Sequence, residues 1–407
     1  MTKKRKISTH IQYFYILLIL CVAIFALTII NPSEVCLANS SKDSQEILED
    51  NIDKNLSGLD MNSLEKLLDS LDKDFKSLFG EDVVSTVKGI INGSFKGDFS
   101  SFMTVMFKGL GKCVLDVLPM ILTVIAVAII YSLLEGLTSS FSQKPTRKII
   151  YFATYSAIIA LVMAQVGGVI SLVTNTINNI KLLMECIFPI LLTLTTLLGG
   201  VNSSAFFSPL MTTLTTFITA FISTVIIPFF IATIAFSIVG NMTSSVKLDK
   251  LTSFFKSTAT YVLGGVFGIF IAFLTFQGLT GGVIDSISIK TAKFAMQSYI
   301  PILGGYLSDG FDLMLASIVL IKNSLGIVSL LMVLGIVAIP TLKIVTLSLA
   351  LKLASGIIEP LCDSKFSKML QSMSSNLTLL VVSLLGVAFM FLLTVMLVIY
   401  TFNVGIA

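Results

Sequence analysis

Imidazole is nearly absent from this sequence. Its 407 residues hold one histidine, His10, and no tryptophan. Zinc centres, Ser-His-Asp triads and Cys-His dyads all draw on an imidazole, so those chemistries are excluded. Cysteine is sparse as well. Cys21, Cys36, Cys113, Cys186 and Cys362 include no CxxC pair, and none lies inside the polar region described below. They fit small apolar residues rather than a disulfide framework. No GxxxxGK[ST] or GxGxxG element follows a strand pattern, and no basic tract occurs beyond the N-terminus. Nucleotide cofactors, metals and nucleic acid are therefore not expected. No nucleophile stands near a base, so no catalytic residue can be named.

Charge is the scarcest commodity of all. Only 12% of residues are charged while 55% are hydrophobic. Soluble domains carry about 25% charged residues. The composition describes an all-α polytopic membrane protein. The charge that exists is concentrated: residues 39–112 hold 13 acidic and 9 basic side chains, against 9 and 14 in the far longer stretch 113–407. A small polar domain thus precedes a large membrane domain.

Lys3, Lys4, Arg5 and Lys6 precede an apolar run from Phe14 to Ile30, followed by the small-residue stretch Cys36-Leu37-Ala38-Asn39-Ser40. That is the order of a secretory signal, so residues 1–38 are expected to be a signal peptide or anchor. In either case the positive charges stay inside and residues 39–112 lie outside the cytoplasm. Within them Leu64, Leu67, Leu68, Leu71, Phe75, Leu78 and Phe79 recur at helical spacing, and Val83, Val84, Val87, Ile90, Ile91 and Phe95 form a second stripe. Asn62 and Glu65 fit a helix start, with the Asn62 side chain as cap. The stripes either pack on each other or the bilayer surface, or dock a partner.

Apolar runs long enough to cross a bilayer occur at 114–134, 149–174, 211–239, 257–280, 324–341 and 376–401. A crossing needs roughly 20 residues. Two shorter runs, 183–200 and 301–321, are expected to be re-entrant or surface segments. Residues 113–180 then form a first membrane hairpin, and the rest repeats itself. Phe188-Pro189-Ile190-Leu191 matches Ile300-Pro301-Ile302-Leu303, and Val225 to Pro228 matches Val337 to Pro340, at one offset. Lys247, Lys250, Ser257 and Gly268 match Lys365, Lys368, Ser375 and Gly386 at a second. The units are 181–285 and 286–407. Two crossings per unit would make the copies parallel and place both basic loops in the cytoplasm, as lysine bias favours.

Charged groups in or beside apolar segments are functional candidates, because a charge at the bilayer centre costs at least ~2.5–3.5 kcal/mol. Asp116 and Glu185 stand near segment ends, where headgroup contact suffices. Lys343 and Lys352 follow Pro340 and fit a cytoplasmic surface helix. Lys322 and Glu359 complete the set. Asp309 and Asp312 share a helical face after Gly304 and Gly305, and Gly199 and Gly200 occupy the comparable place in the first unit. Broken segments at matching places in two repeats point to a polar pathway. The other reading is a surface helix with both aspartates in solvent. Gly264 and Gly268 form a GxxxG pair suited to helix packing.

Several blocks resemble the stage III sporulation protein AE family of endospore-forming bacteria. They are Ile289-Lys290-Thr291-Ala292-Lys293-Phe294 with Tyr299 to Gly304 and Ser308-Asp309, then Ser204 to Pro209, Lys322 to Ile327, Ile339 to Lys343, and Lys352 to Ala354 with Glu359 to Leu361. Ser208 stands where the resemblance leads us to expect a histidine. The resemblance implies a membrane subunit of a multi-protein, secretion-like channel joining mother cell and forespore, needed for late forespore development. It implies a place in the mother-cell membrane around the forespore. As partners it implies the other stage III A operon membrane proteins and their ATPase, and indirectly a forespore protein across the intermembrane space. The residues alone leave a second class open, a self-sufficient permease or secondary transporter with a repeat-built midplane pathway.

Overall fold

The computed structural model describes the backbone of residues 42–95, 99–140, 144–242, 248–299 and 304–401. The signal segment lies outside these residues, and so do Lys247 and the side chains of 276–299 and of Asp309. Among the described residues every regular element is helical. Four short helices come first: α1 (Lys42–Ser57), α2 (Asn62–Asp69), α3 (Lys73–Lys76) and α4 (Val83–Ile91). Long helices follow: α5 (Phe99–Ser140), α6 (Lys144–Leu197), α7 (Val201–Phe221), α8 (Ile227–Met242), α9 (Asp249–Tyr299), α10 (Gly304–Ile358) and α11 (Ser364–Thr401). A π-turn, Ile222–Ile226, joins α7 to α8, so they act as one rod. Among the described residues six helices, with that rod counted once, are long and apolar enough to cross a membrane.

The segments expected to be re-entrant or to lie at the surface belong to long, continuous helices. Residues 183–197 are the last quarter of α6, which runs 54 residues through Pro189 without a break. Residues 304–321 open α10, a 55-residue helix. The buried series Val169, Val173, Ile177, Ile180, Leu183, Ile187, Leu191 and Leu194 keeps one helical stripe across Pro189, so packing holds the helix straight where proline removes a hydrogen bond. Lys343 and Lys352 likewise sit inside α10, not on a separate surface helix. The boundaries drawn at 112, 180 and 285 each fall inside a helix, α5, α6 and α9 respectively.

The axis of the bundle is the antiparallel pair α10–α11. Ser355 pairs with Ser367 at 2.9 Å and Ser348 with Ser374 at 3.0 Å. Farther along, a Cβ on Gly326 would lie 2.0 Å from Ile399 Cδ1. The 29 residues from Gly326 to Ser355 keep this register for about 44 Å at 1.5 Å rise. α6 runs antiparallel to the α7–α8 rod. Tyr155 donates to the Ile238 carbonyl at 2.7 Å at one end, and Ser204 to the Leu192 carbonyl at 3.2 Å at the other. α5 and α6 pack on α10, and α9 packs on α8 and α11.

These registers bring all the basic turns to one end. Arg147 Nε donates to Glu135 at 3.0 Å. Phe366, next to Lys365, wedges between Tyr131, Tyr151 and Tyr155, with ring centroids 5.1–5.6 Å apart. Lys256 on α9 reaches Ser375 on α11, where it donates to the carbonyl at 2.5 Å and the hydroxyl at 2.7 Å. Higher up, Phe267 of α9 stacks on Phe389 of α11 at 5.6 Å. α9 and α11 therefore run the same way, as parallel units require.

Candidate functional site

The opposite end carries the polar domain. Capping builds it locally. The Asp82 carboxylate accepts from the Ser85 N–H at 2.6 Å, and Ser85 Oγ accepts from the Asp82 N–H at 3.1 Å. These bonds satisfy donors that a helix start leaves open and hold the Asp82 carboxyl below the usual carboxylate range. At α2 the N-cap is Met61, which makes no side-chain cap bond, and the Asp60 carboxylate just before it accepts from the Asn62 N–H at 3.1 Å. The Asn62 side chain instead donates to that same carboxylate. Lys88 pairs with Asp53 at 2.7 Å and ties α4 to α1.

Leu64, Leu67, Leu68, Leu71 and Phe75 are buried inside the chain, and Leu78 is half-buried. α2 packs on α6, while α1 and α4 pack on α10. The attachment is a knob in a notch. A Cβ on Gly335 would lie 2.8 Å from the Phe75 ring and 3.3 Å from Leu71 Cδ1. Phe75 also meets Phe102 of α5 edge-on at 5.8 Å. Beside this contact Lys112 pairs with Asp74 at 2.5 Å, and about 27 Å farther along α10 Asn55 Nδ2 donates to Ser317 Oγ at 3.4 Å. Lys112 holds the Asp74 carboxyl below the usual range.

From Gly335 to the basic turn that begins at Glu359 is 24 residues of α10. That is about 36 Å of helix. A hydrocarbon core is about 30 Å thick. The Phe75 contact and the basic turn thus lie about 36 Å apart along α10. α6 and α10, 54 and 55 residues long, exceed such a slab, and with α1, α2 and α4 packed on them they form a platform at this end. A hollow of about 660 Å³ opens on the platform between α4 and the start of α5. Hydroxyls line it, among them Ser85, Thr86, Ser100 and Thr104, with Lys108 at the rim.

The candidate pathway residues are scattered over this end in distinct roles. Gly199 and Gly200 end α6. Gly199 has φ +83°, and the N–H groups of Gly199 and Gly200 donate to the carbonyls of Thr196 and Thr195 at 2.9 and 3.0 Å. This double bond pattern closes a helix on a left-handed glycine and turns the chain into α7. Gly304 and Gly305 open α10. Asp312 is exposed two turns on, and Asp309 lies among the side chains not described. Gly264 and Gly268 have nothing within 4 Å of an added Cβ, so among the described residues no helix packs on that face. Asp116 faces Lys343 at 4.0 Å, Glu185 pairs with Lys181 at 3.5 Å, and Glu359 is exposed in the last turn.

Sequence reasoning missed the glycines that do bring helices together. Gly326, Gly335 and Gly109 lie against Ile399, Phe75 and Ile339. Their signal was a place on a buried stripe rather than GxxxG spacing. Lys322, one of the charged candidates, is fully buried and donates to the Ile399 carbonyl at 3.3 Å.

No solved structure matches this chain. Residues 82–401 match the family described as Stage III sporulation protein AE. The Stage III sporulation protein AE of Bacillus subtilis (strain 168) is 26% identical over 366 residues, 90% of this chain and 92% of the relative. A helical bundle with six membrane-length helices and a family match over most of its length lead to one assignment: the chain belongs to the Stage III sporulation protein AE family.

Proposed function

We propose that this protein is an integral membrane subunit of a multi-protein channel complex connecting mother cell and forespore, required for late forespore development. Its sporulation role rests on the family match. The observation that carries the finer reading is the platform. α6 and α10 continue well beyond the length a bilayer needs, and the polar domain is fixed to α10 by Phe75 in the Gly335 notch. A folded platform on rigid helices suits assembly with proteins in the intermembrane space. A permease needs no such surface. In this reading the six helices sit in the mother-cell membrane around the forespore, the Arg147, Lys250 and Lys368 end lies in the cytoplasm, and residues 39–112 face the space between the membranes. The duplication of 181–285 and 286–407 is part of the same proposal, supported by the shared direction of α9 and α11.

Affinity purification of the tagged full chain from sporulating cells tests this. Recovery of operon membrane proteins and their ATPase is expected, as is arrested forespore development when the gene is deleted. Solute flux by the purified protein alone, with no partner recovered, would instead establish the permease.

A further inference from the structure

At the basic end, the surface shared by α9, α10 and α11 is apolar with cations set into it. On α11 the exposed residues Lys368, Gln371 and Ser375 share one face, spaced three and four apart. Ser375 is the meeting point with α9, because Lys256 donates to its carbonyl and its hydroxyl. Both helices turn apolar at that contact, α9 from Ser257 and α11 from Asn376 onward. On α10, Lys352 is exposed one turn beyond Ser348, which pairs with Ser374, the neighbour of Ser375. Lys352 is close enough to Lys256 to act on it electrostatically.

Three lysines on three helices thus converge where polar turns give way to membrane-length apolar surface. The surroundings are greasy: Leu349 (55% exposed) and Val345 (38%) share the face of Lys352, one and two turns farther from the basic end. Two nearby acids are engaged elsewhere. Glu135 is held by Arg147, and Asp363 accepts from the Lys365 N–H at 3.1 Å. The remaining ones, Asp249 and Glu359, are exposed.

Cations at this depth favour a counter-charge over hydrocarbon. Exposed Leu349 and Val345 favour acyl chain over water. Only an amphiphilic anion satisfies both. We propose that Lys256, Lys352 and Lys368, with Gln371 and Ser375, form a binding site for the phosphodiester headgroup of an anionic phospholipid whose acyl chain lies along Leu349 and Val345. Basic recesses between membrane helices take anionic headgroups in this way, and the long lysine stems let the ammonium groups reach the phosphate. The contact would tie the central hairpin to α9 through the lipid.

The test uses the full chain, purified and delipidated, in mixed micelles of phosphatidylglycerol or phosphatidylcholine. Bound lipid is counted by native mass spectrometry. The wild type is expected to retain phosphatidylglycerol over phosphatidylcholine. The surface double variant Lys352→Gln with Lys368→Gln should lose at least about tenfold of that preference, since each lysine near an anionic surface is worth about fivefold. The double variant to arginine should keep it. Removing two charges from the same end, Lys148→Gln with Lys250→Gln, should leave it unchanged. Equal loss in the two glutamine doubles would show a diffuse positive-inside effect and overturn the site. So would retained preference in Lys352→Gln with Lys368→Gln. Free glycerol phosphate is the third arm: displacement of the lipid signal at millimolar glycerol phosphate, or equal thermal protection without lipid, would assign the site to a soluble phosphate ester and overturn the lipid reading.

Discussion

The two stretches that carry the repeated prolines and lysines, α7–α9 and α10–α11, share an order of features but not a place in the molecule. In the apolar cores of α10 and α11, 61% of residues are buried, against 39% in the α7–α8 rod and 28% in α9. α10 is covered by α1, α4, α5, α6 and α11. α9 leaves Tyr261, Gly264, Gly268 and Ile269 open. Proline is handled differently too. Before Pro228 the helix widens to a π-turn, with Ile227 N–H donating to Ile222. That widening relieves the clash between the proline ring and the carbonyl four residues earlier. Before Pro340 α10 stays regular, held on all sides by packing. Similar patterns have thus become an axis in one case and a rim in the other. What separates them is how many neighbours each helix has.

If α10 is the axis, stripping what covers it should have the largest effect. Leu68→Asp with Leu71→Asp puts two carboxylates into a closed apolar contact. The loss should exceed about 4 kcal/mol. The expected result is a proteolysed polar domain and little full-length protein. An intact, inserted protein that has lost only its partners would show that the stripe docks another protein instead.

Next comes a paired substitution that sets axis against rim. Gly326→Leu must displace Ile399 and should destabilise by about 1–3 kcal/mol. Gly264→Leu enters open space and should change the melting temperature in detergent by little or nothing. Equal effects would erase the distinction between the two stretches.

A smaller effect is expected at the prolines. Pro228→Ala should let the π-turn close to α-helix, which rotates α7 by about 100° against α8. A cross-link between Met184→Cys and Thr215→Cys, whose side chains now meet at 3.5 Å, should then weaken. The cross-link between Ser348→Cys and Ser374→Cys should not respond to Pro340→Ala.

The smallest effect concerns the outer clamp. Lys112 lowers the folded-state pKa of Asp74 below its ordinary 3.8. The stabilisation is therefore fully present above that ordinary value and is lost as pH falls through the lower, folded value. Protease resistance of the polar domain should be flat from neutral pH down to about pH 4. Below that it should fall, with a shallower slope in Asp74→Asn.

Much of this architecture was legible in the sequence, and the reasons are local. Scarcity of charge gave the class, and the six long apolar runs gave the crossings. Lys250, Lys365 and Lys368 marked turns at one end, because lysine near a membrane is costly anywhere else. Three things were hidden. Helix length was one, since α6 and α10 carry apolar sequence beyond one span, and the extra length looks like broken segments when read as membrane spans. Pro189 strengthened that impression, although packing carries the helix through it. The second was which glycines pack: spacing is the same on every face of a helix, so Gly264 and Gly268 resembled an interface and Gly326 did not. The third was the partner of the amphipathic stripe. A stripe shows that Leu68 and Phe75 need cover, but only the tertiary structure shows that Gly335, far along the chain, provides it.

The central claim is that the polar domain and the basic turns lie on opposite sides of one bilayer. Labelling of single cysteines with an impermeant maleimide, in a background with the native cysteines replaced by serine, tests it most directly. Asp50→Cys should react in intact cells, while Lys250→Cys and Lys368→Cys should react only after permeabilisation. Labelling of Lys368→Cys in intact cells would place the two basic turns on different sides and contradict the account.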